Sequence, residues 1–194
     1  METEFWILAV LIIIFTTIPW LIFYFQNSSF LKRKIKHQTN EEEKINVIQS
    51  IDLAVESLIA DKKGATIVLD DYDDVEKYVA DFEYLDAYVS SSLIINIFEG
   101  THTPLHDGAL IINNNRIKSA AAYISRLSSQ KLPKKFGTRH RSALGLSEAT
   151  NAIIIVLSEE TQNIHFFYHG DYEKIERKEF FEKIYKIWIE QKEV

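Results

Sequence analysis

Two short strings in this chain bring together residue types that could do chemistry on an anion. The first is Thr103-Pro104-Leu105-His106-Asp107-Gly108-Ala109, which joins a rigid proline turn, a His–Asp pair and a small Gly-Ala step entering an apolar run. The small residues let backbone come close to a ligand. His and Asp offer nitrogen and oxygen donors to a divalent metal. The second is Gly137-Thr138-Arg139-His140-Arg141, a flexible glycine followed by a hydroxyl and three potential cations. At the opening of a helix, free N–H groups and the positive end of the dipole suit phosphate, and arginine adds planar bidentate donors.

The two strings are joined by an acid-free stretch. Gly108 through Ser147 holds no Asp or Glu, but carries Arg116, Lys118, Arg126, Lys131, Lys134, Lys135, Arg139 and Arg141. At the average acid content of the chain, about six acids would fall there. Positive charge concentrated in an otherwise acidic protein points to an anion. The plainer alternative is a solvated basic loop, or one lying near anionic lipid heads. Each string alone also has a structural explanation, a satisfied His–Asp pair or a surface Arg-His-Arg. Their combination favours a site.

Other chemistries are excluded. There is no G-x-x-x-x-G-K-[ST] and no G-x-G-x-x-G, which argues against P-loop hydrolysis and dinucleotide oxidoreduction. There is no H-E-x-x-H and no G-x-S-x-G, the commonest zinc-protease and serine-hydrolase signatures. The absence of cysteine rules out a disulfide scaffold and thiolate metal sites. A formal net charge of −6 argues against a nucleic-acid partner.

The elements that must position these residues follow from periodicity. A helix begins at Thr39 or Asn40, each with a glutamate at capping-box spacing. It carries Ile48, Ile51, Val55, Leu58 and Ile59 on one face and stops at Gly64. Packing of this face onto the domain is expected, although it could pair with a copy of itself. Ala65–Leu69 reads as a buried strand. Asp70, Asp71, Asp73 and Asp74 around Tyr72 lack the glycine and glutamate of a calcium loop and read as a solvated turn. Helices are expected over Val75–Ala80 and Ser90–Phe98. Strands are expected over Ala109–Asn113 and Ile117–Tyr123, joined by an asparagine turn. A loop over residues 125–137 leads to a helix from Thr138 to Ala149. Strands Ala152–Leu157 and Ile164–Tyr168 follow, and an amphipathic helix Arg177–Gln191 presents Phe180, Phe181, Ile184 and Trp188. Strands and helices without strict alternation predict an α/β fold, a mixed central β-sheet flanked by helices.

Phe5–Phe25 is an uncharged run of 21 residues. As a helix it would span about 30 Å, the thickness of a bilayer core. Trp6, Trp20 and Tyr24 are interface anchors. The acidic start and the bulky Phe23-Tyr24-Phe25 disfavour a cleaved signal peptide. Lys32, Arg33, Lys34 and Lys36 follow the run, and no Lys or Arg precedes it, so the positive-inside rule places the following domain in the cytoplasm. The expected organisation is a transmembrane anchor over 1–26, a basic linker over 27–40 and one domain over 41–194.

Asp107-Gly108-Ala109 followed by Arg139-His140-Arg141 resembles the DGA and RHR motifs of the diadenylate cyclase domain family. The similarity extends through Leu105-His106, Gly137-Thr138, Ala143–Glu148 and Ser158-Glu159-Glu160-Thr161, in the order of the family. A single span before the domain is similar to the membrane-bound cyclases of mycoplasma-type bacteria. The resemblance implies condensation of two ATP molecules into cyclic di-AMP with release of two pyrophosphates, across a face-to-face homodimer. It implies that Asp107 deprotonates or orients the attacking hydroxyl, and that His106, Asp107 and Glu160 hold Mn²⁺ or Mg²⁺. Thr138, Arg139, His140 and Arg141 would hold the triphosphate with Ser158 as a further donor. Gly108 and Ala109 would lie against the nucleotide, and Tyr123 would pack on adenine. The rival reading is a membrane-tethered nucleotide sensor or adaptor without catalysis.

Overall fold

The computed structural model describes residues 41–72, 74–100, 103–133 and 136–190, together with Trp6 and residues 16–18, which are helical. Backbone contacts divide the chain into units over 1–38 and 39–194. The apolar run, the anchor over 1–26 and the linker over 27–40 lie outside the described residues apart from those N-terminal positions. Among the described residues no helix is long and apolar enough to cross a membrane.

The second unit is a mixed α/β domain. Helix α1 (Glu41–Ala60) leads into β1 (Ala65–Leu69). A 3₁₀ turn over Glu76–Tyr78 precedes β2 (Val79–Ala80) and β3 (Glu83–Tyr88). Helix α2 (Ser91–Glu99) starts at Ser90, whose hydroxyl accepts from the Leu93 N–H at 3.3 Å. Strands β4 (Ala109–Asn113) and β5 (Arg116–Ile124) form a hairpin, with Asn114 and Asn115 both at positive φ in the turn. Helix α3 (Thr138–Ser147), β6 (Ile153–Leu157), β7 (Ile164–Tyr168), β8 (Asp171–Ile175) and helix α4 (Phe180–Trp188) complete it.

The strands make one sheet in the order β2-β5-β4-β1-β6-β7-β8, with β3 also paired to β5. Among the described residues only β1 and β4 run parallel. Side chains alternate across it, so Ala65, Ile67 and Leu69 face one way and Val68 the other. The first face buries the apolar stripes of α1, α2 and α4. The second is covered by α3 through Ala143, Leu144 and Leu146. The expected mixed sheet is therefore present, and the apolar face of α1 is consumed inside its own domain.

Three expectations are corrected, and two strands stand outside the expected elements. Gly64 does not stop α1: Lys62 takes the left-handed position (φ 54°), and the Lys63 N–H donates to the Leu58 carbonyl at 2.8 Å. The Val75–Ala80 helix is a 3₁₀ turn followed by β2, because Val79 and Ala80 pair with the end of β5. The acids after β1 are not a solvated turn. The buried Asp70 carboxylate accepts from the N–H groups of Asp74 and Val75, and Asp71 Oδ2 accepts from Lys44 Nζ at 2.8 Å and Trp188 Nε1 at 2.9 Å. Strands β3 and β8 have no apolar alternation to reveal them, since both are short, charged strands whose faces are mostly exposed.

The Asp71 contacts tie the start of α1 and the end of α4 to the loop after β1. Trp188 is 2% exposed. Trp188→Phe should cost about 1–3 kcal/mol through the lost charge-assisted hydrogen bond, and Trp188→Ala about 3–5 kcal/mol through the added cavity. Chemical denaturation of both variants checks this, and an unchanged stability of Trp188→Phe would show that the indole N–H contributes nothing.

Candidate active site

The second face of the sheet is only partly covered, because among the described residues α3 is its single helix. The uncovered end forms a cleft of about 770 Å³, within the usual size range of small-molecule sites. It is bounded by the first residues of β1 and β4, the last residues of β5 and β6, and the N-terminus of α3.

The two strings singled out by their chemistry meet here. Asp107, Gly108 and Ala109 line one wall, and Gly137, Thr138, Arg139 and His140 line another. The 3₁₀ turn Pro104–His106 delivers Asp107, whose N–H donates to the Pro104 carbonyl at 3.0 Å. Helix α3 starts at Gly137 with no side-chain cap, so its first N–H groups are left to a ligand. Tyr123 and Leu127 add exposed apolar surface, Tyr123 being 63% exposed. Ser158, Glu159 and Glu160 follow β6 and complete the lining.

A glycine at position 108 has a backbone cause. Its φ is +156°, and a Cβ there would lie 2.4 Å from the carbonyl carbon of Ala121. On the other strand, Ala121 has φ 53° and sits in a bulge, where the steps from Ala109 to Ile111 on β4 oppose those from Ala122 to Ser119 on β5. The bulge switches the faces of β5. Ile117 and Ala120 face the three-helix layer, whereas Ala122 and Ile124 face α3.

Some expected site residues stand elsewhere. His106 does not line the cleft, and its Nδ1 lies 2.7 Å from the Thr103 carbonyl. Among the described residues no three His, Asp or Glu side chains converge as a ready metal cluster. Arg141 is exposed and outside the cleft, since two residues along a helix turn it away from Arg139. His140 is buried at 6% exposure, stacks on Phe136 at 4.3 Å between ring centroids and meets His165 and Phe167 of β7 edge-on, so it anchors α3 to the sheet while touching the cleft. The basic stretch is also dispersed. Arg116 pairs with Asp86 at 2.6 Å and Lys118 with Glu76 at 3.4 Å, away from the cleft. Among the described residues only Arg139 brings a Lys or Arg into the lining.

Other lining residues were not singled out by type or spacing. Thr66 sits on the floor, opposite Val156 in the sheet register, at 3% exposure and with Oγ1 lacking a hydrogen-bond partner. A lone threonine in a buried strand carries no sequence signal. Glu159 pairs with Arg139 at 3.3 Å, a contact between segments twenty residues apart.

Fold and cleft define a class: a mixed α/β domain with a phosphate-suited site at one end of its sheet. The family described as DisA bacterial checkpoint controller nucleotide-binding (DAC) matches residues 52–172, and the chain belongs to this family. A diadenylate cyclase of Listeria monocytogenes is 43% identical over 131 residues, 68% of this chain and 48% of that protein. A diadenylate cyclase of Mycoplasma pneumoniae is 34% identical over 135 residues, 70% of this chain and 65% of that one. The chain thus spans about half the length of the first relative and about two-thirds of the second. The crystal structure of DacA from Staphylococcus aureus superposes with a TM-score of 0.70 at 34% identity, covering 76% of this chain and 99% of that one.

Two substitutions probe the geometry. Gly108→Ala should destabilise the domain by about 1–3 kcal/mol or more, because its methyl group meets backbone that cannot turn aside. Thr66→Val should stabilise the ligand-free domain by about 1 kcal/mol, since it removes an unpaired buried hydroxyl without changing shape. Thermal melts read both, and a stable Gly108→Ala domain would contradict the close approach.

Proposed function

We propose that this chain is a diadenylate cyclase, which condenses two ATP molecules into cyclic di-AMP and releases two pyrophosphates. The observation that carries the reading is the meeting of Asp107, Arg139 and the uncapped start of α3 in one cleft, in a chain of the family whose relatives are named for this activity.

In this reading adenine lies against Tyr123, with Gly108 and Ala109 beneath the nucleotide. The α3 N–H groups, Thr138, Arg139 and Ser158 hold the triphosphate. Asp107 takes the proton of the 3′-hydroxyl of one ATP as its oxygen bonds to the α-phosphorus of the other, and pyrophosphate leaves with the broken P–O bond. The reverse attack closes the ring. One cleft holds one ATP, so two protomers must face each other, each contributing its Asp107 to one attack. Phosphoryl transfer needs mainly positioning and charge neutralisation, which one acid, a cation and a helix end supply.

A divalent cation, Mn²⁺ or Mg²⁺, is the cofactor of this reading. The donor set fits a substrate-completed site: Asp107 and Glu160 both line the cleft and offer hard oxygen ligands, and such ions commonly take one or two carboxylates plus substrate phosphates. When bound, the ion neutralises phosphate charge. His106 would join only by leaving its contact with the Thr103 carbonyl.

We also propose that residues 1–26 form a single membrane span with the domain on the cytoplasmic side. The uncharged run Phe5–Phe25 and the basic residues after it support this. A planar tether raises the effective concentration of facing protomers.

Incubation of the full chain with ATP and Mn²⁺ should yield cyclic di-AMP, identified by mass spectrometry. ATP binding without product would instead favour the sensor reading. Asp107→Asn should lower the rate at least about a hundredfold while the domain stays folded. Specific activity should rise with protein concentration, because the productive contact is bimolecular. A flat profile across dilution, with the protein monomeric by sedimentation, would remove the two-protomer step.

A further inference from the structure

Gly64 is left without its expected role by the way α1 ends, since Lys62 takes the left-handed position. Its φ is not in the left-handed range, so no turn requires glycine there. What surrounds it is the site. A Cβ on Gly64 would lie 2.7 Å from Arg139 Nη1, 3.0 Å from Glu159 Cβ and 3.2 Å from the Glu159 backbone nitrogen. Arg139 and Glu159 both line the cleft and pair at 3.3 Å. The guanidinium therefore passes over the bare backbone that leads into β1.

We propose that Gly64 is a positioning residue for Arg139. By leaving room for no more than a hydrogen, it keeps open the slot that aims the guanidinium at the phosphate region, and so sets the preference of the cleft for triphosphate over nucleoside. The inference rests on the assignment of Arg139 to the phosphates made above. The Arg139–Glu159 pair itself is a weak hold, because both side chains keep more than a third of their surface in water (39% and 60%). A phosphate, offering bidentate acceptors, displaces such a partner readily. The slot is the stronger constraint, since its walls are the Gly64 backbone itself and the Glu159 backbone nitrogen with the Cβ fixed to it. A methyl group at position 64 pushes aside the flexible end of Arg139 before it disturbs the strand.

The test measures equilibrium affinity of the full chain for ATP and for adenosine, without turnover, using calcium in place of Mn²⁺. Gly64→Ala should weaken ATP tenfold or more and leave adenosine within twofold. The same change in an Arg139→Ala background should alter ATP affinity less than twofold, because the group it displaces is gone. An equal loss in both backgrounds, or a loss shared by adenosine, overturns the proposal. So does unchanged ATP affinity in the single variant. Should Gly64→Ala melt well below the unchanged chain, the double variant must regain most of that loss. If it does not, the overlap is with the Glu159 backbone and the proposal fails. An unchanged chain that binds ATP no better than adenosine would instead remove the phosphate role of Arg139, which separates failure of the functional reading from failure of the positioning one.

Discussion

The close approach of the Gly108 backbone to the Ala121–Ala122 peptide is the contact on which the site depends. Asp107 leaves a 3₁₀ turn and Tyr123 lies one residue before the end of β5, and nothing local relates them. A glycine at +156° just before β4 and a bulge on β5 let the two segments meet more tightly than side chains permit. The bulge carries its own strain, with Ala121 in a conformation that alanine adopts rarely. In return it turns Ala122 and Ile124 toward α3 and leaves Tyr123 exposed in the cleft. Strain of this kind persists where surrounding structure over-determines it. Here the surroundings are the β4–β5 hairpin and the core beneath it.

The unequal covering of the sheet explains why there is a cleft at all. Three helices seal one face, with Ile48, Ile51, Leu58, Ile94, Phe180 and Ile184 packed against the sheet. One short helix lies on the other, and its N-terminus stops at Gly137 with its N–H groups uncapped. The stable layer thus fixes the sheet while the thinner layer leaves it open to a ligand. The loop that leads to α3 is pinned at its far end, where Glu148 accepts from Ser128 Oγ at 2.5 Å and Gln130 Nε2 at 2.9 Å. His140, stacked on Phe136 and set edge-on to His165, fixes the near end. Its place in the Arg-His-Arg string is as much packing as chemistry.

Charge is distributed differently from its appearance along the chain. The acid-free stretch suggests a single basic surface, yet Arg116 meets Asp86 on β3 and Lys118 meets Glu76 in the 3₁₀ turn before β2. The acidic run after β1 suggested solvent, yet Asp70 and Asp71 satisfy backbone, lysine and indole donors. Both differences have one physical cause. Formal charge in a folded chain is paired across segments distant in sequence, so linear clustering of charge does not by itself report exposure.

What the sequence by itself determined was type, order and chemistry. The limits of β1, β4 and β7, the buried face of α1, the Ser90 start of α2 and the two reactive strings were all legible, because each rests on periodicity, capping or turn propensity acting over a few residues. Strands β3 and β8 were not, since short charged strands acquire their conformation from the neighbour they pair with. Only the tertiary structure decided which members of each string face the cleft. Helical rotation admits Arg139 and excludes Arg141, and the 3₁₀ turn admits Asp107 while holding His106 on the Thr103 carbonyl. It also decided the meaning of Gly64, which spacing presented as the end of a helix. Packing made it the floor under an arginine more than seventy residues away, and no local propensity carries information over that distance.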